Sequence, residues 1–301
     1  MIAQRCVENM SFHYPVLLAE VMQLMRLQQD RGFYCDCTVG GGGHFLAMLR
    51  ATKRAKFVGI DWDPEAIDYV RKHVKQYERR CFLVEDNYTN LGLILDDLGI
   101  DFLNGILFDL GVSYHQLTTP CRGFSFEREG GLLMRMSPKT PSLLEKMRKA
   151  SRKDIVTILK KYGDVYNSQK IGLAMFEKKK VLNSTLDLRT IVEKFTPKRY
   201  WKKNLHRVFQ ALRIWVNNEL NNLEEGIQRA FKRLDVGGRI IAISYHSGED
   251  RIVKNTFRNL QKKDEMVLLH KKIIRPTLDE INRNPRARSA KLRAGEKCAV
   301  Y

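Results

Sequence analysis

In the first third of the chain, short apolar runs rich in β-branched residues alternate with longer stretches of helical periodicity. The apolar runs lie at 32–39, 56–61, 81–84 and 105–109, and the helical stretches lie near 44–52, 64–78 and 89–98. Alternating strands and helices are typical of parallel sheets, so this part of the chain predicts a doubly wound α/β fold.

The pattern changes after Asp109. Residues 114–204 show helical periodicity without a clear strand, and 204–234 predicts one long helix. A turn at 235–239 and a buried strand at 240–245 follow, and 266–274 and 288–294 are further strand candidates. The sheet therefore resumes after an interruption. We predict a Rossmann-like domain of 1–113 and 205–301 with a helical domain, 114–204, inserted into it.

Composition is ordinary for a globular chain, with 44% hydrophobic and 29% charged residues among 301. We see no apolar run of membrane-spanning length and no secretory or organellar leader. The six cysteines form no Cys-x-x-Cys pair and have no zinc-site spacing. We therefore expect a cytoplasmic protein with reduced thiols, without a metal site and without membrane association.

The net charge of +19 is confined to two segments. Residues 139–210 hold 19 basic and 6 acidic side chains, and residues 251–301 hold 14 and 5, whereas the remainder is slightly acidic. Solvated helix faces are one interpretation, but charge this segregated favours a surface that binds a polyanion such as RNA. Membrane phosphates are a weaker alternative, because no lipidation motif supports them.

A run of four glycines, Gly40 to Gly43, follows the first predicted strand directly. Glycines at this place let the backbone approach a ligand or adopt positive φ. Dinucleotides and S-adenosylmethionine both bind there, but the dinucleotide fingerprint requires a third glycine where this chain has Phe45 or Leu46. The run therefore favours S-adenosylmethionine, which has no pyrophosphate for that helix to receive.

Carboxylates end two of the later strands. Asp61 ends the second, Asp109 ends the fourth, and Asp86 to Tyr88 follow the third. Ligands of doubly wound sheets bind outside the carboxyl ends of the strands, so these residues and Gly40–His44 predict one crevice. Helix capping is the alternative role for each carboxylate. For His44, a place at a helix start is favoured over metal binding.

Ordered sequence strings over almost the whole chain resemble the RsmH (also called MraW) family, the 16S ribosomal RNA cytosine-N4 methyltransferases of bacteria. The strings are HYPVLLAE from His13, Asp36 followed by GGH from Gly42, DWDP from Asp61, DLGVS from Asp109, RGFSF from Arg122, FQALRIWVNNE from Phe209, SYHSGEDRIVK from Ser244 and NPRARS from Asn284. A glycine run alone is a weak signal, whereas this ordered set is a strong one.

The resemblance implies S-adenosylmethionine as cofactor and a target cytosine in the decoding region of the small-subunit RNA. The implied cofactor contacts are Gly42, Gly43, His44, Asp61, Tyr88, Asp109 and Gln116. It leaves open whether the substrate is free RNA or an assembled subunit, and whether the protein is a monomer or a homodimer. The chain departs from the family pattern at Leu133, Ser137 and Gly248, which puts target specificity in question more than the cofactor site.

The exocyclic amine of cytosine is a poor nucleophile, so catalysis needs a hydrogen-bond acceptor and in-line alignment with the methyl group. We expect Asp109 and Ser113 to position the amine, although Ser113 is equally consistent with a turn residue. A base inside a stack cannot reach such a site, so it must be splayed out onto an aromatic ring.

Phe124 and Phe126, next to Arg122, are candidates to receive the base, with packing of the insertion as the alternative. His246 is a further candidate for substrate contact. Arg286 and Arg288 are suited to RNA phosphates.

Three other functions compete with this interpretation. Carbon-5 methylation needs a nucleophilic cysteine, for which Pro120-Cys121 is the one candidate dipeptide. A non-catalytic RNA-binding assembly factor would not need the intact glycine run and carboxylates. A dehydrogenase would bind NAD in the same crevice.

Overall fold

The computed structural model describes residues 14–27 and 31–299, which leaves His13 outside the described part of the chain. The chain divides into two compact units. We call Met1–Gly111 with Leu220–Tyr301 the sheet unit, and Val112–Glu219 the helical unit. The second boundary lies after Glu219, whereas the sequence pattern placed it after residue 204.

The sheet unit contains a seven-stranded sheet in the order β3-β2-β1-β4-β5-β7-β6. Its strands are β1 (Phe33–Asp36), β2 (Lys56–Asp61), β3 (Cys81–Glu85), β4 (Leu103–Asp109), β5 (Leu234–Ser244), β6 (Met266–Leu268) and β7 (Lys291–Lys297). Neighbours from β3 to β5 are parallel, and β7 is antiparallel to both β5 and β6. The predicted doubly wound α/β fold is confirmed.

Alternate residues of the central strands enter two separate cores. Ile241 and Ile243 of β5 join the core on one face, and Ile240 and Ala242 join the core on the other. Both faces are therefore covered, as a parallel sheet requires. The helices of this unit are α1 (Leu18–Leu24), α2 (Gly43–Ala51), α3 (Pro64–His73), α4 (Leu91–Asp97), α11 (Glu219–Lys232), α12 (Ser247–Lys262) and α13 (Leu278–Arg283).

Strand β5 begins earlier than the sequence pattern predicts, at Leu234, so the predicted turn at 235–239 is wrong. The pairing with β4 shifts register between Leu103 and Gly105, and Gly237 takes a φ of 75°. Gly237 and Gly238 thus lie at a β-bulge-like irregularity within the strand. Such irregularities are rich in glycine, as turns are, so composition alone does not distinguish them.

The single helix predicted over 204–234 is two helices. The first, α10 (Trp201–Asn217), ends where Asn218 adopts the left-handed conformation with φ 52°, and α11 begins at Glu219. The side chain of Asn217 accepts from the Met136 amide at 2.8 Å and donates to the Met134 carbonyl at 2.8 Å. This tertiary contact and the tolerance of asparagine for positive φ explain a break that periodicity does not reveal.

Three predicted boundaries need smaller corrections. Helix α3 ends at His73 instead of 78, and a 3-10 helix occupies Lys75–Arg80. Only Met266–Leu268 of the candidate 266–274 is a strand, with an isolated bridge at Ile274. The last strand lies at Lys291–Lys297, because the turn before it is a 3-10 helix.

The helical unit contains six α-helices, and all but the first contribute side chains to a core of its own. They are α5 (Tyr114–Thr118), α6 (Leu143–Lys149), α7 (Arg152–Gly163), α8 (Ser168–Lys178), α9 (Thr185–Lys194) and α10. Serines at 142, 151 and 184 cap α6, α7 and α9, each paired with an acidic residue three positions later. Among the residues that the structure describes, no helix has the length and apolar character that crossing a membrane requires.

Candidate active site at the carboxyl ends of the strands

The glycine run forms a tight loop between β1 and α2. Gly40 and Gly42 both have positive φ, 50° and 77°, which side-chain-bearing residues rarely adopt. The Gly40 amide donates to Asp61 Oδ2 at 2.8 Å, and the Gly42 amide donates to the Val39 carbonyl at 2.8 Å. The loop is therefore tied to the end of the neighbouring strand β2.

The four glycines differ in what lies beside them. A Cβ on Gly43 would lie 2.7 Å from Pro15, and one on Gly42 would lie 2.9 Å from Val70. A Cβ on the exposed Gly41 would meet no atom within 4 Å. Close packing thus explains two of the glycines, whereas Gly41 presents bare backbone to open space.

Asp61, at the end of β2, is oriented by backbone amides on both oxygens. Oδ2 accepts from Gly40, and Oδ1 accepts from the Asp63 amide at 2.9 Å. Burial raises the pKa of this carboxyl to about 6, and these amides oppose the rise. The group remains largely ionised at neutral pH and retains lone pairs for a ligand with hydroxyl donors.

Asp36 is a third strand-end carboxylate, which the sequence interpretation did not single out as a site residue. It ends β1, is 1% exposed, and accepts from the Thr38 amide at 3.1 Å. Burial raises its pKa to about 7, which the positive charge of His44 partly offsets. The strand predicted from the sequence extends to residue 39, so Asp36 falls within it and the strand-end rule does not select it, whereas the strand of the structure ends at Asp36.

His44 lies in the first turn of α2 with its side chain 4% exposed. Nε2 is 3.0 Å from the Val16 carbonyl, and Nδ1 is 3.5 Å from Asp109 Oδ2. A carbonyl only accepts hydrogen bonds, so Nε2 carries a hydrogen, and the carboxylate favours a second one on Nδ1. Burial lowers the pKa of His44, but Asp109 and Asp36 outweigh it and raise the pKa overall.

Asp109, at the end of β4, is held from two sides. The Tyr245 hydroxyl donates to Oδ1 at 2.8 Å, while His44 faces Oδ2. The backbone amide of Asp109 donates to Thr38 Oγ1 at 2.6 Å. The carboxylate is 24% exposed, so it is fixed in orientation and still reachable from solvent.

Tyr88 lies in a short 3-10 helix after β3. Its ring meets the Phe108 ring edge-on at 5.4 Å between centroids. It also lies against the α-carbon of Gly226 in α11, where a Cβ would come 2.4 Å from the ring. The sheet unit therefore places Tyr88 beside the strand that ends in Asp109.

Ser113 and Gln116, predicted as catalytic and cofactor residues, lie in the helical unit. They form a reciprocal capping box at the start of α5. Ser113 Oγ accepts from the Gln116 amide at 3.2 Å, and the Ser113 amide donates to Gln116 Oε1 at 3.0 Å. This geometry gives both residues a local structural role, as the turn alternative for Ser113 anticipated.

Arg122 and the two candidate aromatic rings are also engaged within the helical unit. The Arg122 guanidinium donates to the carbonyls of Arg135 and Met136 at 3.2 and 3.0 Å. Phe124 is 7% exposed, with the guanidinium 5.9 Å from its ring centroid. Phe126 meets other aromatic rings of this unit. These contacts are consistent with packing inside the helical unit, which is the alternative role that the sequence left open for Phe124 and Phe126.

His246, predicted to contact substrate, begins α12 as its cap. Nδ1 accepts from the amides of Gly248 and Glu249 at 3.1 and 3.3 Å, so the neutral ring carries its hydrogen on Nε2. Nε2 lies 3.0 Å from Glu249 Oε1, but the two atoms are not aligned for a hydrogen bond. The side chain is nearly buried in this role.

Arg286 and Arg288 are exposed in the 3-10 helix Pro285–Ser289. Between them, the small side chain of Ala287 is fully buried in the core. The Asn284 side chain accepts from the Arg286 amide at 3.3 Å and fixes the start of the turn. The turn therefore holds both arginines on the surface of the sheet unit.

The structure gives specific contacts at each of the three departures from the family pattern. Ser137 is 4% exposed and accepts from the Lys139 amide at 3.2 Å, and the Leu133 carbonyl accepts from the Leu143 amide. A Cβ on Gly248 would lie 3.1 Å from the His246 ring, which is a tight contact. Cys121, the candidate nucleophile of the rival chemistry, is exposed.

Comparison with known proteins yields matches over almost the whole chain. The model of the MraW methylase family matches residues 10–298. A ribosomal RNA small subunit methyltransferase H of Sulfurihydrogenibium sp. (strain YO3AOP1) is 40% identical, covering 95% of this chain and 99% of the relative. Proteins of the same name from Thermotoga neapolitana and Carboxydothermus hydrogenoformans are 39% and 38% identical, covering 95% of this chain and 96% and 97% of those relatives.

Proposed function

The chain belongs to the MraW methylase family, and from this premise we propose that it transfers a methyl group from S-adenosylmethionine to small-subunit ribosomal RNA. The acceptor in this proposal is the N4 amine of a cytosine in the decoding region. The observation that carries it is a family match spanning residues 10–298 in a chain whose β1, β2 and β4 all end in aspartate at one edge of the sheet.

The glycine loop and its neighbours fit the cofactor. Gly41 leaves room for a ligand against bare backbone, and the first-turn amides of α2, from Gly43 onward, lack acceptors within the helix. We assign the cofactor carboxylate to the amides of Gly43 and His44, and the ribose hydroxyls to Asp61. Gly42, whose own amide donates to the Val39 carbonyl, is assigned a backbone contact with the cofactor in the same loop. Tyr88, Asp109 and Gln116 complete the proposed contacts. Bound there, S-adenosylmethionine supplies a methyl group on a positively charged sulfur.

Asp109 is the residue to which we assign the reacting amine. An ionised carboxylate accepts an N–H hydrogen bond and so favours the orientation in which the nitrogen lone pair faces the methyl group. Ser113, which follows within the same sequence string, is assigned a supporting position on the base. Because Asp109 is already fixed by two neighbours, it need not reorganise when the base arrives.

The RNA contacts are assigned by charge and exposure. Arg286 and Arg288 are exposed and suited to phosphates. Arg122, Phe124 and His246 already make contacts inside their own units, so we assign them to shaping the base-binding surface. The basic helical unit is assigned further phosphate contacts, and we infer a cytoplasmic location from the proposed ribosomal RNA substrate.

Two measurements test this function. Tritiated methyl transfer from S-adenosylmethionine to small-subunit RNA, tried as free RNA and as assembled subunits, should occur with the native protein. It should be lost in Asp109→Ala while RNA binding is retained. RNA binding without transfer on either substrate would instead indicate a non-catalytic assembly factor. In calorimetry, tight binding of NAD and none of S-adenosylmethionine would reject the cofactor assignment.

A further inference from the structure

Tyr245 lies one residue beyond the end of β5 and belongs to neither the proposed cofactor contacts nor the proposed RNA contacts. Strands β4 and β5 are parallel neighbours, with Asp109 in register with Ile243. The Tyr245 side chain therefore reaches the end of β4, where its hydroxyl lies 2.8 Å from Asp109 Oδ1. Burial raises its pKa well above the usual value for tyrosine, so the hydroxyl keeps its proton and donates.

The tyrosine is itself held in place. Its backbone amide donates to Glu249 Oε2 at 2.7 Å, which ties it to the first turn of α12. Gly111, with a φ of 100°, crosses beside the ring, and a Cβ there would lie 3.6 Å from it. The chain that leaves Asp109 therefore lies close to the edge of the Tyr245 ring at Gly111.

The second oxygen of Asp109 faces His44, whose far nitrogen is fixed by the Val16 carbonyl. Each carboxylate oxygen therefore has one donor beside it, which leaves further lone pairs on both oxygens for an incoming N–H. Removing either donor would free the carboxylate to rotate about its terminal torsion, which is a broad one.

We propose that Tyr245 is a positioning residue for methyl transfer, whose hydroxyl fixes the Asp109 carboxylate in the orientation that receives the amine. This inference rests on the proposed function, since it gives Asp109 its role. It concerns the rate of transfer more than affinity, because Tyr245 acts through Asp109 and not through the cofactor or the RNA.

The test compares Tyr245→Phe, which removes only the hydroxyl, with Tyr34→Phe as a matched control. Tyr34 is another buried tyrosine of the sheet unit, and its hydroxyl donates to the Arg26 carbonyl at 3.4 Å, away from Asp109. We expect Tyr245→Phe to lower kcat about 10-fold while both KM values stay within about 2-fold. Tyr34→Phe should leave kcat within about 2-fold of the native value.

A double-mutant cycle distinguishes positioning from general support of the fold. In single-turnover transfer with excess enzyme, Tyr245→Phe should change the small residual transfer of Asp109→Ala, which has no acceptor for the hydroxyl, by less than about 2-fold. An equal loss in both backgrounds would overturn the proposal, as would native kcat in Tyr245→Phe. If the native protein itself transfers no methyl group, the proposed function fails instead, which the parallel native reaction shows directly.

Discussion

A single added methyl group should have opposite consequences at Gly41 and at Gly43. In Gly43→Ala the new Cβ would lie 2.7 and 3.2 Å from Pro15 atoms, where ordinary contacts begin near 3.4 Å. Overpacking of this kind costs about 1–3 kcal/mol, and the better helix propensity of alanine returns less than about 1 kcal/mol. In Gly41→Ala the methyl group meets no protein atom, so the stability of the free protein should be unchanged.

Cofactor affinity should show the reverse order. The Gly41 methyl group would occupy the space that we assign to the cofactor, so Gly41→Ala should raise its Kd at least about 10-fold, equivalent to 1.4 kcal/mol. Gly43→Ala keeps the amide that is assigned to the cofactor carboxylate, so the Kd of this variant for the cofactor should change less than that of Gly41→Ala.

Thermal unfolding without ligand and calorimetry with S-adenosylmethionine measure the two effects. We expect Gly43→Ala to lower the Tm by roughly 1–5 °C and Gly41→Ala to leave it unchanged. The reasoning is refuted if Gly41→Ala binds the cofactor as tightly as the native protein does. It is also refuted if Gly41→Ala lowers the Tm more than Gly43→Ala does.

Three further predictions concern charge and chemistry. The pKa of Asp36 is raised from 3.8 to about 7, so Asp36 favours the folded state at low pH and loses that contribution as pH rises from 3.8 towards 7. The pKa of His44 is also raised, so its contribution is complete below 6.5 and is lost at higher pH. Urea unfolding of Asp36→Asn should therefore vary less between pH 5 and pH 8, by about 1–3 kcal/mol, and an unchanged pH dependence would contradict this cause. Replacing Arg286 and Arg288 together by alanine should weaken RNA binding and lower the slope of log K against log salt by about 2, whereas an unaltered slope would remove them from the phosphate contacts. Cys121→Ala should retain native transfer, and complete loss would instead support carbon-5 chemistry.

The fold and the crevice were predictable where the signal is local in sequence. Strand ends are marked by the change from apolar residues to Asp61 and Asp109, and parallel strands bring such ends to one edge of the sheet. The glycine run after β1 likewise predicts a loop with positive φ. These features need no knowledge of distant contacts.

The contacts that fix the site depend on residues far apart in the chain. The pairing of Tyr245 with Asp109 spans 136 positions, and His44 meets Val16 across 28. No periodicity reports such pairs, although Tyr245 could have been suspected because it follows the strand next to β4. The break at Asn218 was missed because both flanking helices keep an apolar face and their periodicities run together.

The capping roles of Ser113, Gln116 and His246 show a different limit. A capping residue and a ligand-binding residue share the same polar side chains at the same place, just before a helix. Sequence alone therefore selects the position without deciding the role.

The central claim is that this chain methylates a cytosine of small-subunit ribosomal RNA at N4. The most direct measurement is mass spectrometry of nucleosides from small-subunit RNA of cells lacking the protein, compared with cells that contain it and with cells complemented by Asp109→Ala. We expect N4-methylation of one decoding-region cytosine to disappear without the protein and to be restored by the native chain only. An unchanged N4-methylcytidine content in the deleted cells would contradict it.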